Sequence, residues 1–348
     1  MKIAIDASRY GHEEATGVEW YSFHIINELL KLGSEEITLY SRYHLPLKGV
    51  KQKAINVRRL WTHLGLSREL KKNMPDVLFV PSHVFPMTLP KKRVIMIHDV
   101  AFRYLKKSYS FFSYHYLNWS TKFAVKHATT ILTPSEATKK DLVKIFKCDA
   151  DKIEVVQHGF SLVDVAADKG HIFEYFALEK YFLFVGRLES KKNLERLVKA
   201  FAKMDGNYKL VLAGKRGVGF DKLLKLVNKL GLLGRVVMPG YVTEGEKRAL
   251  YENCEAFVFP SLYEGFGLPI LEAFHYGKAV MCSDCSSLPE VAGRAAIFVD
   301  PESVDSIKNG MEKVVKQKEE LVDLGRERLK LFSWKVAGEK TYNILKNG

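Results

Sequence analysis

The chain has 348 residues, 47% hydrophobic and 27% charged, with 54 Lys/Arg against 40 Asp/Glu for a net charge of +14. At a typical ~100–200 residues per domain this length makes two domains, and ordinary Gly and Pro usage without low-complexity tracts excludes disordered, collagen-like and solenoid architectures. Residues 1–165 hold 25 basic against 16 acidic side chains and the remainder 29 against 24, a bias that suits nucleic acid, anionic lipid or a phosphorylated small molecule without choosing among them.

The opening MKIAIDASRY reads as a first strand and lacks the apolar segment and cleavage site of a signal peptide. No apolar run approaches the roughly 20 residues that a membrane span needs, so the expectation is a soluble, cytoplasmic protein. Further strand patterns follow at 37–41, 55–60, 77–81, 94–98, 130–133 and 153–156, with helical patterns between them at 18–32, 114–127 and 136–146. The segment 160–178 shows no clear period. Beyond it, strands at 181–186, 209–213, 236–238, 256–260, 279–283 and 296–299 alternate with helices at 194–204, 222–230 and 245–252. Nearly continuous apolar strands alternating with helices predict parallel sheets covered on both faces. Thirteen strands are too many for one ordinary sheet, so the pattern divides into two doubly wound domains, 1–165 and 166–333, ahead of a terminal helix at 334–346.

The strongest local signal is Leu262-Tyr-Glu-Gly-Phe-Gly-Leu-Pro-Ile-Leu-Glu272, where a strand runs into a glycine turn and a helix starts near Pro269. The N–H groups of Gly265, Phe266, Gly267 and Leu268 then form an anion site at a helix start. Glu264 and Glu272 flank the turn and can each reach a ligand hydroxyl. The alternative is a tight strand–helix turn with no ligand. A second loop, Phe184-Val-Gly-Arg-Leu-Glu-Ser-Lys-Lys-Asn193, places Arg187 and Lys192 just past Gly186, and two such cations suit a diphosphate. Its alternative is a solvated basic turn.

Taken together, the two loops resemble the retaining family 4 glycosyltransferases of the GT-B fold. Glu264 and Glu272 within EGFGLPILEA match that family's signature, and Gly186-Arg187 with Lys192-Asn193 match its basic motif. Ser283-Asp-Cys-Ser-Ser-Leu-Pro-Glu-Val-Ala-Gly293, Thr16-Gly17, Ile97-His98-Asp99, Thr133-Pro-Ser-Glu136 and His158-Gly159 fall in the family's order along nearly the whole chain. The resemblance implies two Rossmann-like domains facing a cleft, the first binding acceptor and the second nucleotide sugar, with the terminal helix 334–348 crossing back to the first domain. It also implies roles. Arg187, Lys192 and the N–H groups of Phe266–Leu268 bind the donor diphosphate, Glu272 the ribose, and Glu264 and His98 the transferred sugar. Gly17 lets the backbone approach donor or acceptor. No metal ion or cofactor is needed; the donor is GDP-mannose or a UDP-sugar, and the acceptor is a glycan or lipid-linked saccharide of the kind built by bacterial mannosyltransferase-like enzymes of surface polysaccharides.

The stretch 102–127 interleaves Arg103, Lys106, Lys107, Lys122 and Lys126 with aromatics. It reads either as a peripheral contact with the anionic inner face of the membrane or as a helix packed on its own domain. Asp149-Ala-Asp151 matches the metal motif of another glycosyltransferase fold but reads as a polar turn; Cys282-Ser-Asp-Cys285 reads as unpaired thiols; no dinucleotide or Walker motif is present. The competing function is a sugar-nucleotide-binding protein without turnover. Nucleic-acid binding rests on charge alone and is not expected.

Overall fold

The computed structural model describes the whole chain except residues 12–16, 34–35, 58, 163, 205–206 and 348. Thr16, quoted above beside Gly17, lies outside the described residues. The chain divides into two compact units, Met1–Gly159 with Phe332–Gly348, and Phe160–Leu331. The sequence pattern put these divisions at 165/166 and 333/334; packing moves both. A Cβ on Gly159 would lie 2.1 Å from the Trp334 backbone nitrogen, so the outgoing and returning chains touch there inside the first unit.

In the first unit seven strands, β1 (Ile3–Asp6), β2 (Ile37–Ser41), β3 (Lys51–Ala54), β4 (Val77–Val80), β5 (Lys92–Met96), β6 (Thr130–Thr133) and β7 (Ile153–Val155), form one sheet. Its order is β3-β2-β1-β4-β5-β6-β7. Every pairing is parallel, with Ile3 beside both Ile37 and Val77. The apolar faces of β1, β2, β4 and β5 pack on Tyr21, Ile25, Ile26 and Leu29 of the helix Gly17–Gly33. Trp334, Ala337 and Leu345 of the last helix, Trp334–Asn347, join the same core. That helix therefore belongs to the first unit.

The second unit carries β8 (Tyr181–Val185), β9 (Lys209–Ala213), β10 (Val236–Gly240), β11 (Ala256–Phe259), β12 (Val280–Ser283) and β13 (Ala296–Val299). Their order is β10-β9-β8-β11-β12-β13, again all parallel. Strand order reverses direction between β1 and β4 and between β8 and β11. At such a switch point the flanking helices leave on opposite faces and open a crevice beyond the strands' carboxyl ends, where ligands bind.

One expected strand does not form among the described residues. Residues 55–57 and 59–60 are outside the sheet, and the edge is instead the polar segment Lys51–Ala54. Ile55 and Val57 are apolar because they cover the π-helical turn Trp61–Leu66, where a Cβ on Gly65 would meet both at 3.0–3.3 Å. The unperiodic 160–178 segment contains a short helix, Gly170–Phe176.

Candidate functional site

In the second unit the quoted residues gather where β8 and β11 end. The two loops touch directly, the Leu262 N–H donating to the Lys191 carbonyl at 2.9 Å. Behind them the loop after β9 comes so close that a Cβ on Gly214 would sit 2.0 Å from the Gly186 oxygen. Gly267 takes φ 118°, and a Cβ there would also press on Leu288, so this turn into the next helix requires glycine. The helix is Leu268–His275. Pro269 is therefore its second residue and not its first, where its missing N–H is still one of the groups without an intrahelical partner. Glu272 correspondingly sits at the start of the second turn.

Lys192 and Glu264, assigned above to different parts of a donor, are paired with each other. Their side chains are 12% and 13% exposed and meet at 2.5 Å. Lys192 also stands over the Phe259 ring, 5.1 Å from its centroid. Arg187 is exposed on the same loop. Two serines of the quoted 283–293 stretch, given no role by the sequence, hold the glycine turn. The Glu264 N–H donates to Ser286 Oγ at 3.0 Å, and Ser287 Oγ donates to the carbonyls of Glu264 and Phe266 at 2.9 and 2.8 Å. Asn193, buried, donates to the Pro260 and Pro301 carbonyls and ties the basic loop to the ends of β11 and β13.

Glu272 has its own partners, also not foreseen. Lys247 donates to its Oε1 at 3.2 Å and the Tyr251 hydroxyl to its Oε2 at 2.9 Å. Both project from the helix Glu244–Asn253, whose start is fixed by a capping box between Thr243 and Glu246. Spacing of four residues puts Lys247 and Tyr251 on one face. The Thr-x-x-Glu signature was readable in the sequence; which residue that face would meet was not. Burial alone would push Lys247 down, but the Glu272 and Glu244 carboxylates outweigh it and hold its pKa above the ordinary lysine value. A cavity of about 290 Å³ adjoins the basic loop, bounded by Glu189, Asn193, Arg196 and Lys222; neither glutamate of the signature lines it.

The remaining two candidates lie in the first unit. His98 follows β5, is 7% exposed, and its Nε2 lies 3.0 Å from the Pro81 carbonyl at the end of β4. A carbonyl only accepts, so Nε2 carries the proton and the neutral ring keeps its Nδ1 lone pair. His83, His158 and Tyr21 surround the ring at centroid distances of 5.3, 5.5 and 4.9 Å. Burial foremost, then the neighbouring His83, lowers the His98 pKa to about 3. Gly17 is the first residue of the helix Gly17–Gly33, and among the described residues nothing lies where its Cβ would be.

The other motifs resolve locally. Asp149 caps a turn by accepting the Asp151 N–H. All four cysteines are free; burial pushes the Cys285 thiol up to about 11 and that of Cys282 further up. Of the 102–127 stretch, the helix Phe111–His127 leaves Phe111 and Phe112 71% and 83% exposed, whereas Tyr114 packs against Phe102 of the same unit. No helix among the described residues is long and apolar enough to cross a membrane.

Comparison with known proteins bears on the family and the fold. The family model described as Glycosyl transferases group 1 matches residues 174–330, and Glycosyltransferase Family 4 matches residues 15–163. The chain is similar to O-antigen chain mannosyltransferase B of Escherichia coli, 30% identical over 278 residues, covering 76% of this chain and 73% of that protein. It is also similar to O-antigen chain mannosyltransferase RfbU of Salmonella typhimurium, 25% identical over 333 residues, covering 90% of each. Among solved structures, WaaG, a glycosyltransferase involved in lipopolysaccharide biosynthesis, shares the fold with a TM-score of 0.76 at 15% identity, covering 99% of this chain and 100% of that one. With one family model over each half and a relative this similar over three quarters of its length, the chain belongs to the group 1 and family 4 glycosyltransferases and has their GT-B fold.

Proposed function

We propose that this glycosyltransferase moves a hexose, mannose foremost, from GDP-mannose or a UDP-sugar to a hydroxyl of a glycan or lipid-linked saccharide, retaining the anomeric configuration and using no metal ion. The observation that carries the reading is a pair of carboxylates flanking one glycine turn, each matched to its own lysine: Glu264 to Lys192 and Glu272 to Lys247. The names borne by the Escherichia coli and Salmonella relatives support mannose and a surface glycan.

The chemistry follows from charge. Breaking the bond between the anomeric carbon and the phosphate oxygen leaves negative charge on a diphosphate. Arg187, the N–H groups at Gly267 and Leu268, and Lys192 once it turns from Glu264 meet that charge where it develops, with no reorganisation of solvent. These two cations and the N–H groups take the place of a metal. Release of Lys192 frees Glu264 to accept hydrogen bonds from the transferred sugar, while Glu272, held by Lys247 and Tyr251, accepts from the ribose. The acceptor hydroxyl attacks the anomeric carbon from the face the diphosphate leaves, and its proton passes to a donor phosphate oxygen. His98 keeps an Nδ1 lone pair able to accept from a sugar hydroxyl.

The segment from residue 100 to 135 has no carboxylate, five Lys/Arg and two exposed phenylalanines at a helix start. That combination supports peripheral contact with an anionic membrane, at the inner face where a lipid-linked acceptor is presented.

A thermal-shift panel of nucleotide sugars tests the reading, since a ligand at 100 times its dissociation constant adds roughly 2.7 kcal/mol. Stabilisation by GDP-mannose or a UDP-sugar, followed by transfer or donor hydrolysis that survives EDTA, is expected. No stabilisation by any nucleotide sugar would refute donor binding. Stabilisation without turnover would leave a binding protein, and loss in EDTA reversed by Mn²⁺ would remove the metal-free step.

A further inference from the structure

The helix Gly17–Gly33 buries Tyr21, Ser22, Ile25, Ile26 and Leu29 against the sheet, yet its outer side is aromatic as well. Trp20 and Phe23 stack at 6.1 Å, Phe23 meets Tyr10 at 5.1 Å, and His24 lies between Trp20 at 4.5 Å and Trp334 at 4.8 Å. These half-buried rings run on into a shallow groove of about 600 Å³, bounded by Phe23, Asn27 and Lys31 on the helix and by Lys48 and Gly49 on the loop before β3. Its rim is polar and oriented. Asn27 accepts the Tyr10 hydroxyl at 3.1 Å and donates to the Phe23 carbonyl at 2.9 Å, leaving one amide N–H and one lone pair for a ligand. Glu28 and Lys31 pair at 2.6 Å. Gly49 presents bare backbone, since nothing lies where its Cβ would be.

We propose that this outer face is a binding track for the acceptor oligosaccharide, seating sugar units beyond the one that receives the transfer. The inference rests on the reading that the enzyme extends a glycan. Rings stacked along one side suit the C–H faces of sugars, and a rim that both donates and accepts suits their hydroxyls. An anion would not need the rings. A helical protein partner would need an apolar stripe, which Asn27, Glu28 and Lys31 interrupt. A lipid surface would need apolar side chains that project outward, and these rings are half-buried. The track is also continuous with the residue where acceptor approach is expected: Trp20 stands one turn from Gly17, and Lys31 lies ~16 Å further along the helix.

Two probe series test it: α-manno-oligosaccharides and α-gluco-oligosaccharides of two to six units, titrated against tryptophan fluorescence, with transfer measured in parallel. In the wild type, affinity in at least one series should rise about tenfold from the disaccharide to the hexasaccharide. Phe23→Ser should collapse that length dependence. Lys48→Ala, on an exposed loop where a folding defect is not expected, should reduce it. Length-independent binding in both series, or full length dependence in both variants, overturns the track. So does a wild-type dimer that Phe23→Ser dissociates, because the strip would then be an interface between copies. Length-dependent binding without transfer from any nucleotide sugar would leave the track standing and refute the enzymatic reading.

Discussion

Lys192 and Arg187 leave the same loop, but their side chains sit in different surroundings, and substitution should separate them. Lys192 neutralises a carboxylate that is itself nearly buried. Removing it strands Glu264, a loss on the order of 3 kcal/mol for an uncompensated buried charge. Arg187 is exposed, and its removal leaves no buried group unpaired. Lys192→Ala should therefore lower both the melting temperature and turnover. Arg187→Ala should lower turnover alone, by the ~2.7–4 kcal/mol that one preorganised charge contact contributes to a transition state. Unchanged turnover with the true donor in both variants would show that neither meets the diphosphate. The two glutamates divide by the same logic. Glu272 is fixed by Lys247 and Tyr251 before any ligand arrives, so Glu272→Ala should weaken binding of the free nucleoside diphosphate. Glu264→Ala releases Lys192 and so should leave that binding no weaker, while sharply reducing transfer through the sugar contact proposed for it. A charged hydrogen bond contributes about 1.5–3 kcal/mol, well outside calorimetric error, so titrating both variants with diphosphate and intact donor decides the matter. Equal losses for both ligands in both variants would mean the carboxylates act structurally.

Between elements, what could be read from the sequence depended on whether a signal was local. The strand ending at Phe259, the glycine turn and the following helix were legible because apolar run, Gly267 and Pro269 each act on their own stretch of backbone. The edge strand Lys51–Ala54 was not. An edge strand needs no apolar face, and its neighbours Ile55 and Val57 owe their character to Gly65. Lys247 and Ser287 were missed for a related reason: each acts on a residue more than twenty positions away, and a single sequence carries no record of that pairing. The helix Phe111–His127 was left with two readings, and each describes part of it: Tyr114 meets Phe102 and Tyr116 meets His63 within the unit, while Phe111 and Phe112 are exposed. Ser110 caps it, so both rings project from a fixed first turn. Phe111→Ser with Phe112→Ser should reduce cosedimentation with phosphatidylglycerol vesicles several-fold, with little effect on neutral vesicles. Added salt should weaken the wild-type interaction, since a Debye length of ~8 Å at physiological ionic strength screens the lysines. Equal binding by wild type and variant would assign this face another role.

Across the whole molecule, the two units differ in how acid should reach them. His83, His98 and His158 come from three separate places in the chain and pack together in the first unit; burial lowers the pKa of each. For His98 the folded value is about 3 against 6.5 for the free side chain. Between those values the unfolded chain binds the proton and the folded one does not. Stability is therefore complete above pH 6.5 and is lost as pH falls toward 3, at up to about 1.4 kcal/mol per pH unit for each such histidine. The same cluster touches Trp334, which lies 5.9 Å from His158 and begins the helix that closes the first unit. Acid should thus loosen the first unit together with its terminal helix before the second. Calorimetry from pH 7 to pH 5 should show one transition moving down while the other stays nearly fixed. His98→Gln should flatten the shift even where it lowers the starting melting temperature, because the slope reports protons and the intercept reports packing. Parallel movement of both transitions, or an unchanged slope in the variant, would place the acid sensitivity outside the imidazole cluster.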